Sequence, residues 1–292
     1  MRMMPAAILV CLGGIAGSSL ASAQAAPEPP VAPSHQPDDR LTFSTNGTTL
    51  TGTNGGGGGS VGWLRNPSAD SVIGAGVEYQ TIADAHWAYG SVSGALSRGA
   101  SNQRLTLYGE IHEGSGKNSA GSFTYSIVSA GISRALTSRL SLQLEDRQID
   151  VDTTHGNLGK LGLSFVWTPR LLTALAYSHS IGSSLDRITS GGLKFTRPTA
   201  LTTLRIDEYG KRLHVLAGGA VGKASPAVFD HLNTRTPILP GQALREVFLG
   251  VAVPFSNAEL TLLGDYLDLS SSQRTTVTLS YMVHLHAPRK MR

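Results

Sequence analysis

Apolar and polar residues alternate along most of this chain, and the run nearest its end shows the pattern best. Val277, Leu279, Tyr281, Val283 and Leu285 are apolar; Thr276, Thr278, Ser280 and His284 between them are polar or ionisable, with Met282 the one exception. A strand sends successive side chains to opposite faces, so this segment has one greasy face and one largely wet face. Similar segments recur after residue 70. Ile73, Ala75, Val77 and Tyr79 oppose Gly74, Gly76 and Glu78; Leu105, Leu107 and Ile111 oppose Arg104, Thr106, Tyr108, Glu110 and His112. Leu140, Leu142 and Leu144 oppose Arg139, Ser141, Gln143 and Glu145, and Leu161, Leu163, Phe165 and Trp167 oppose Lys160, Gly162 and Ser164. Leu213, Val215, Ala217 and Val221 oppose Arg212 and His214; Val247, Leu249, Val251 and Val253 oppose Glu246, Phe248 and Gly250; Leu260, Leu262 and Tyr266 oppose Glu259, Thr261 and Asp265. Segments at 86–98, 121–133, 171–181, 187–197 and 199–209 carry the same rhythm, blurred by glycine and alanine.

Turn residues punctuate these runs. Thr168-Pro169-Arg170 and Arg197-Pro198-Thr199 join strands almost directly, and residues 114–121, 150–156 and 182–186 read as somewhat longer loops. One connection, Lys223 to Gln242, is long and carries Pro226, Pro237, Pro240 and Gly241. Counting gives thirteen strands after residue 70. Residues 41–53 can supply a further one, and the five glycines of 55–59 read as a flexible hinge. A phosphate loop is rejected there, because no Gly-Lys-Ser/Thr ending and no strand-then-helix setting accompany the glycines.

Alternating strands suit either a sandwich core or a lipid-facing barrel, and three features select the barrel. The segments run about 10–12 residues, the length a tilted strand needs to cross a bilayer, where soluble strands average about 5–6. The faces opposite the apolar ones carry ionisable residues, which a wet lumen tolerates. Aromatics (Trp87, Tyr108, Phe123, Trp167, Phe195, Tyr209, Phe255 and Tyr266) gather near segment ends, as interfacial girdles do. The fold expected is all-β, an antiparallel transmembrane barrel of about 12–14 strands, since single-chain bacterial barrels have an even number.

Composition and the N-terminus place that barrel. Arg2, an apolar run from Pro5 to Ile15 and the small-residue site Leu20-Ala21-Ser22-Ala23 read as a secretory signal cleaved near Ala23. Cys11, the chain's single cysteine, lies within it, so disulfide and thiol chemistry are excluded from the mature protein. The domain map that follows is signal peptide 1–23, Pro-rich linker 24–40, flexible Gly-rich segment 41–70, barrel 71–285 and basic tail 286–292. Charged residues make up only 15%, against about 25% in an average globular chain. The mature chain carries 23 basic and 20 acidic residues, and no basic stripe with interleaved aromatics argues for nucleic acid. The expected location is the bacterial outer membrane, with membrane lipid and the barrel-insertion machinery as partners. The closing strand resembles the terminal strand of outer-membrane barrels, though it ends at Leu285 with a basic tail and not on an aromatic.

No catalytic set emerges. Ser178-His179-Ser180 places neighbours on opposite strand faces, whereas barrel lipid hydrolases need His and Ser two apart. Asp150, Asp152 and His155 lack a defined metal-ligand set, so no metal or other cofactor is expected. The candidate functional residues are those assigned to the lumen: Arg104, Glu110, Arg139, Glu145, Lys160, Lys194, Arg212, Glu246 and Asp265. Tyr108, Tyr125 and Phe248 share that side. The run Leu213 to Ser225 and the stretch Glu259 to Val283 resemble the YaiO-type outer-membrane barrels over 71–285 at most. That resemblance implies an outer-membrane protein linked to envelope or exopolysaccharide systems, and no catalytic residues. The function expected is non-enzymatic passage or docking of a polar solute or envelope polymer. A structural or adhesive barrel with a plugged lumen is the first alternative and an outer-membrane lipid hydrolase the second.

Overall fold

The computed structural model describes residues 38–180, 187–196, 214–224 and 242–285, apart from a few positions in the turns. Fourteen strands account for nearly all of it. They are β1 (Asp38–Leu50), β2 (Gly56–Ser68), β3 (Ser71–Ile82), β4 (Ala85–Arg98), β5 (Leu105–Asn118), β6 (Gly121–Ala135) and β7 (Leu140–Val151), then β8 (Thr154–Thr168), β9 (Leu171–Ser180), β10 (Arg187–Thr196), β11 (His214–Ala224), β12 (Gln242–Pro254), β13 (Ala258–Leu269) and β14 (Ser272–His284). No helix occurs among the described residues. Each strand pairs antiparallel with its neighbours in sequence, and β1 pairs with β14 from Arg40↔His284 to Leu50↔Arg274, which closes the barrel and removes both sheet edges.

The alternation sorts as expected. Val77, Leu107, Leu144, Leu163, Leu249 and Leu279 face outward and are exposed, while their strand neighbours Glu78, Thr106, Glu145, Gly162, Phe248 and Thr278 face the interior. The chain enters β1 and leaves β14 at one end of the barrel, here the terminal end. The connections β1–β2, β3–β4, β5–β6, β7–β8, β9–β10, β11–β12 and β13–β14 lie at the opposite, far end. The long connection between Ala224 and Gln242 therefore leaves from the far end.

Three sequence expectations change. The barrel starts at Asp38, so the stretch read as linker and flexible segment supplies two strands and not one. Gly56–Gly59 lie within β2, paired with Thr48–Thr45 on β1 and with Ile82–Tyr79 on β3. These glycines serve close approach: a Cβ on Gly58 would meet the Gln80 side chain, and one on Gly57 would stand 2.7 Å from the Asn46 carbonyl oxygen. Finally, residues 114–118 and 150–151, read as loop, continue β5 and β7. The segment at 199–209, the signal peptide and the basic tail lie outside the described residues.

Candidate functional site: the inner wall

Inward side chains of β5, β7 and β8 meet in one network. Glu145 is the hub, with its side chain 4% exposed. Arg147 Nη2 donates to it at 3.0 Å and Lys160 Nζ at 3.3 Å. The Tyr108 hydroxyl donates to the same carboxylate at 3.2 Å, and Gln143 Nε2 donates both to that hydroxyl and to Glu145. The strand geometry explains the convergence. Glu145 and Lys160 are cross-strand partners, and Gly131 is the partner of both Glu145 and Tyr108. Gly131 has no side chain, so the Tyr108 ring lies across it; a Cβ there would stand 2.7 Å from ring carbon Cε2. One carboxylate between two cations leaves the patch net positive. The side chains of Arg147 and Lys160 are each 21% exposed, so the excess charge faces accessible space in the lumen.

Two further groups line the wall. On β3–β5, the Tyr89 hydroxyl and Gln80 Nε2 donate to Glu78, the Tyr89 ring tilts against His112 with centroids 5.4 Å apart, and His112 Nε2 lies 2.7 Å from Glu110 Oε1. On β12–β14, Glu246 sits beside Asp265, and Arg274 Nη2 reaches Asp265 at 3.3 Å.

The candidates read from sequence fall out as follows. Glu110, Glu145, Lys160, Glu246 and Asp265 are on the inner wall, within the groups just described. Arg104 stands just before β5 at the terminal rim, where it pairs with Asp70 at 2.9 Å. Arg139 is a correction. It lies in the exposed turn before β7, whose alternation begins only at Leu140, and its backbone N–H donates to Thr137 Oγ1 at 3.1 Å. Lys194 occupies an inward register position on β10, between Leu172 and Leu216. Arg212 lies outside the described residues. Arg147 and Arg274 were missed, although one more step of the alternation from Glu145 and from Thr276 reaches them.

The aromatics need correcting too. Trp87 and Phe123 do not belong to an outer girdle. They point inward at 1% and 2% exposure and pack with Leu50, Ile82, Ala85, Tyr89, Ile127 and Ile149 at the far end. Tyr108 also points inward. Trp167, Phe255 and Tyr266 do face outward. His179 is outward as well, its ring stacked on Tyr177, away from any lumen nucleophile. Among the described residues no cluster of three His, Asp or Glu side chains is spaced to hold a metal ion.

No protein-family model matches the sequence, and no curated protein does. Solved structures do match. The CymD monoaromatic hydrocarbon channel aligns with a TM-score of 0.56 at 10% identity, covering 86% of this chain and 90% of that one. The likeness is one of fold, a closed antiparallel β-barrel. A FadL homologue from Pseudomonas aeruginosa gives a TM-score of 0.51 at 10% identity, covering 86% and 91%. The deltaS2S3 mutant of the TodX monoaromatic hydrocarbon channel gives 0.50 at 10% identity, covering 87% and 91%. At such identities the likeness extends to the fold and no further.

Proposed function

We propose that this protein resides in the bacterial outer membrane and lets a polar solute pass through its lumen without chemical change. One observation carries the reading: a barrel apolar on its outside presents two partly accessible cations, Arg147 and Lys160, on its inner wall around a buried Glu145. Fourteen strands about 4.8 Å apart and tilted about 40° give a backbone radius of roughly 14 Å, between small side-chain-filled barrels and open porins. Charges on such a wall act on hydrated solutes, whereas a wall built only to pack would be apolar.

The solute is polar, and the local positive excess of the Glu145 patch favours contact with carboxylate or phosphate groups. An acidic envelope polysaccharide has that chemistry and agrees with the association implied by the YaiO-type resemblance. The barrel-insertion machinery is the assembly partner this location implies. In this reading an exported chain inserts from the periplasm and leaves both its ends there, so the terminal end is periplasmic and the far end, from which the 225–241 connection leaves, is exterior.

Single-channel recording in planar bilayers tests the reading. Discrete conductance steps are expected, with a reversal potential displaced toward anions in a salt gradient. An acidic oligosaccharide added to one side should block more strongly than a neutral one of equal length. Protein that folds and inserts yet stays electrically silent overturns passage and favours the structural barrel, whose motive is the dry apolar cluster at the far end.

A further inference from the structure

The polarity of the two strand faces inverts part-way along five consecutive strands. On β7 the outward positions run Leu140, Leu142, Leu144 and then Asp146, Gln148, Asp150; the inward ones run Ser141, Gln143, Glu145, Arg147 and then Ile149. On β5 the outward series is Leu105, Leu107, Ile111 and then Glu113, Ser115, Lys117. β6 and β4 run the other way and mirror this. Outward Ser122 and Thr124 precede Val128 and Ile132, and inward Phe123 and Ile127 precede Ser129 and Ser133. Outward His86 precedes Val92 and Leu96, and inward Trp87 and Tyr89 precede Ser91 and Ser93. β3 ends with Thr81 outward and Ile82 inward.

The boundary follows a plane. Ala75, Val92, Ile111, Val128 and Gln148 form one row of cross-strand partners. The last outward apolar residue lies beyond that row on β3 (Tyr79) and β4 (Ala88), on it for β5 and β6, and short of it on β7 (Leu144). A plane perpendicular to the axis makes such a steady drift when it cuts tilted strands. Past it, the outside is polar and the inside is dry. Trp87 is 1% exposed, and Phe123 and Ile149 are each 2% exposed. Trp87 Nε1 is buried there with no hydrogen-bond partner among the described residues. Glycines on β5 make room: a Cβ on Gly116 would stand 2.7 Å from Trp87 Cβ, and one on Gly114 would stand 2.6 Å from Tyr89 Cβ.

We infer that β3–β7 leave the membrane at this plane and continue as a dry-cored collar, and that the collar narrows the outer mouth so that Trp87, Phe123, Ile127 and Ile149 limit the size of solute that passes. The constriction rests on the proposed channel function; the collar itself does not. Its height is that of the six residues Glu113–Asn118 on β5, about 15 Å at roughly 2.6 Å of axial rise per residue of a tilted strand.

Cysteine labelling tests the collar separately from conduction. The only native cysteine is Cys11, so single-cysteine variants carry one reactive site once the leader is removed. Intact cells expressing Ser115→Cys or Gln148→Cys should react with a membrane-impermeant maleimide, and those expressing Leu107→Cys or Leu144→Cys should not. In purified folded protein Ser93→Cys should react from the lumen, and Ile149→Cys only after unfolding. Labelling at Leu144→Cys with none at Gln148→Cys, or ready labelling at Ile149→Cys, overturns the collar. For the constriction, Phe123→Ala and the milder Ile127→Ala should each raise single-channel conductance at least twofold while the unheated gel band stays folded. A folded variant with unchanged conductance overturns the size limit. Silence in wild type and variants alike sinks the channel reading and the size limit with it, and leaves the labelling to decide the collar.

Discussion

Replacing Glu145 with Gln keeps the shape of the most connected group on the inner wall and removes its charge. The carboxylate receives Arg147 at 3.0 Å and Lys160 at 3.3 Å, and the Tyr108 hydroxyl donates to it. Two unit charges about 3 Å apart attract by about 1.4 kcal/mol in bulk water and by about 5.5 kcal/mol at an effective dielectric near 20. Arg147 and Lys160 are partly exposed, so the lower figure governs, and each pair is worth about 1 kcal/mol. Losing both predicts a destabilisation of about 2 kcal/mol, since the substitution also leaves two neighbouring cations unscreened from each other. Urea unfolding of the barrel in detergent, followed by the fluorescence of its three tryptophans and by the unheated gel band, measures this directly. A double-mutant cycle with Lys160→Met should return a coupling of about 1 kcal/mol. In bilayers, E145Q should displace the reversal potential further toward anions. A variant within about 0.5 kcal/mol of wild type, with no coupling to Lys160 and unchanged selectivity, would refute the reasoning, because the network would then carry neither stability nor field.

Arg147→Ala combined with Lys160→Ala should move the reversal potential toward cations without loss of the folded gel band, checked in the same recordings. Leu163→Arg should impair insertion, because its side chain faces lipid, where Arg at mid-membrane costs about 2–4 kcal/mol, whereas Ser164→Arg on the inner face should assemble normally. Refolding yield into vesicles distinguishes them, and equal yields would show the two faces to be misassigned. Gly131→Val should cost about 1–3 kcal/mol in the urea assay, since its Cβ would run into the Tyr108 ring; Gly62→Val on β2, whose nearest neighbour atom would be 4.0 Å away, should cost less.

The barrel and the two faces of its membrane band are legible in the sequence, because lipid and lumen impose opposite demands on alternate residues of a strand. Leu140, Leu142 and Leu144 are outward and Glu145 inward with no further information needed. The glycines of β2 were not legible. A run at 55–59 has the composition of a hinge, and only the neighbouring Gln80 side chain and the Asn46 carbonyl show that the glycines mark space taken by adjacent strands. Arg139 failed for a different reason. Parity carries no meaning outside a strand, and the turn ends one residue later than the alternation suggests.

Most of the remaining misreadings share one physical cause. Trp87 and Phe123 near strand ends suggest a girdle, and the polar stretches 114–121 and 150–156 suggest loops. Both inferences hold only if lipid surrounds the strands to their ends. Where a strand continues into water, the rule for its faces becomes that of a soluble sheet, polar outside and apolar inside, while its period of two is unchanged. Asp146, Gln148 and Asp150 then belong to the same outward series as Leu142 and Leu144, and Ile149 to the same inward series as Glu145. A sequence reading that follows parity through a change of polarity, without stopping at the change, extends β5 and β7 to their observed ends. It also turns Trp87 and Phe123 inward and recovers Arg147 beside Glu145. The level at which the polarity changes then records where the membrane stops.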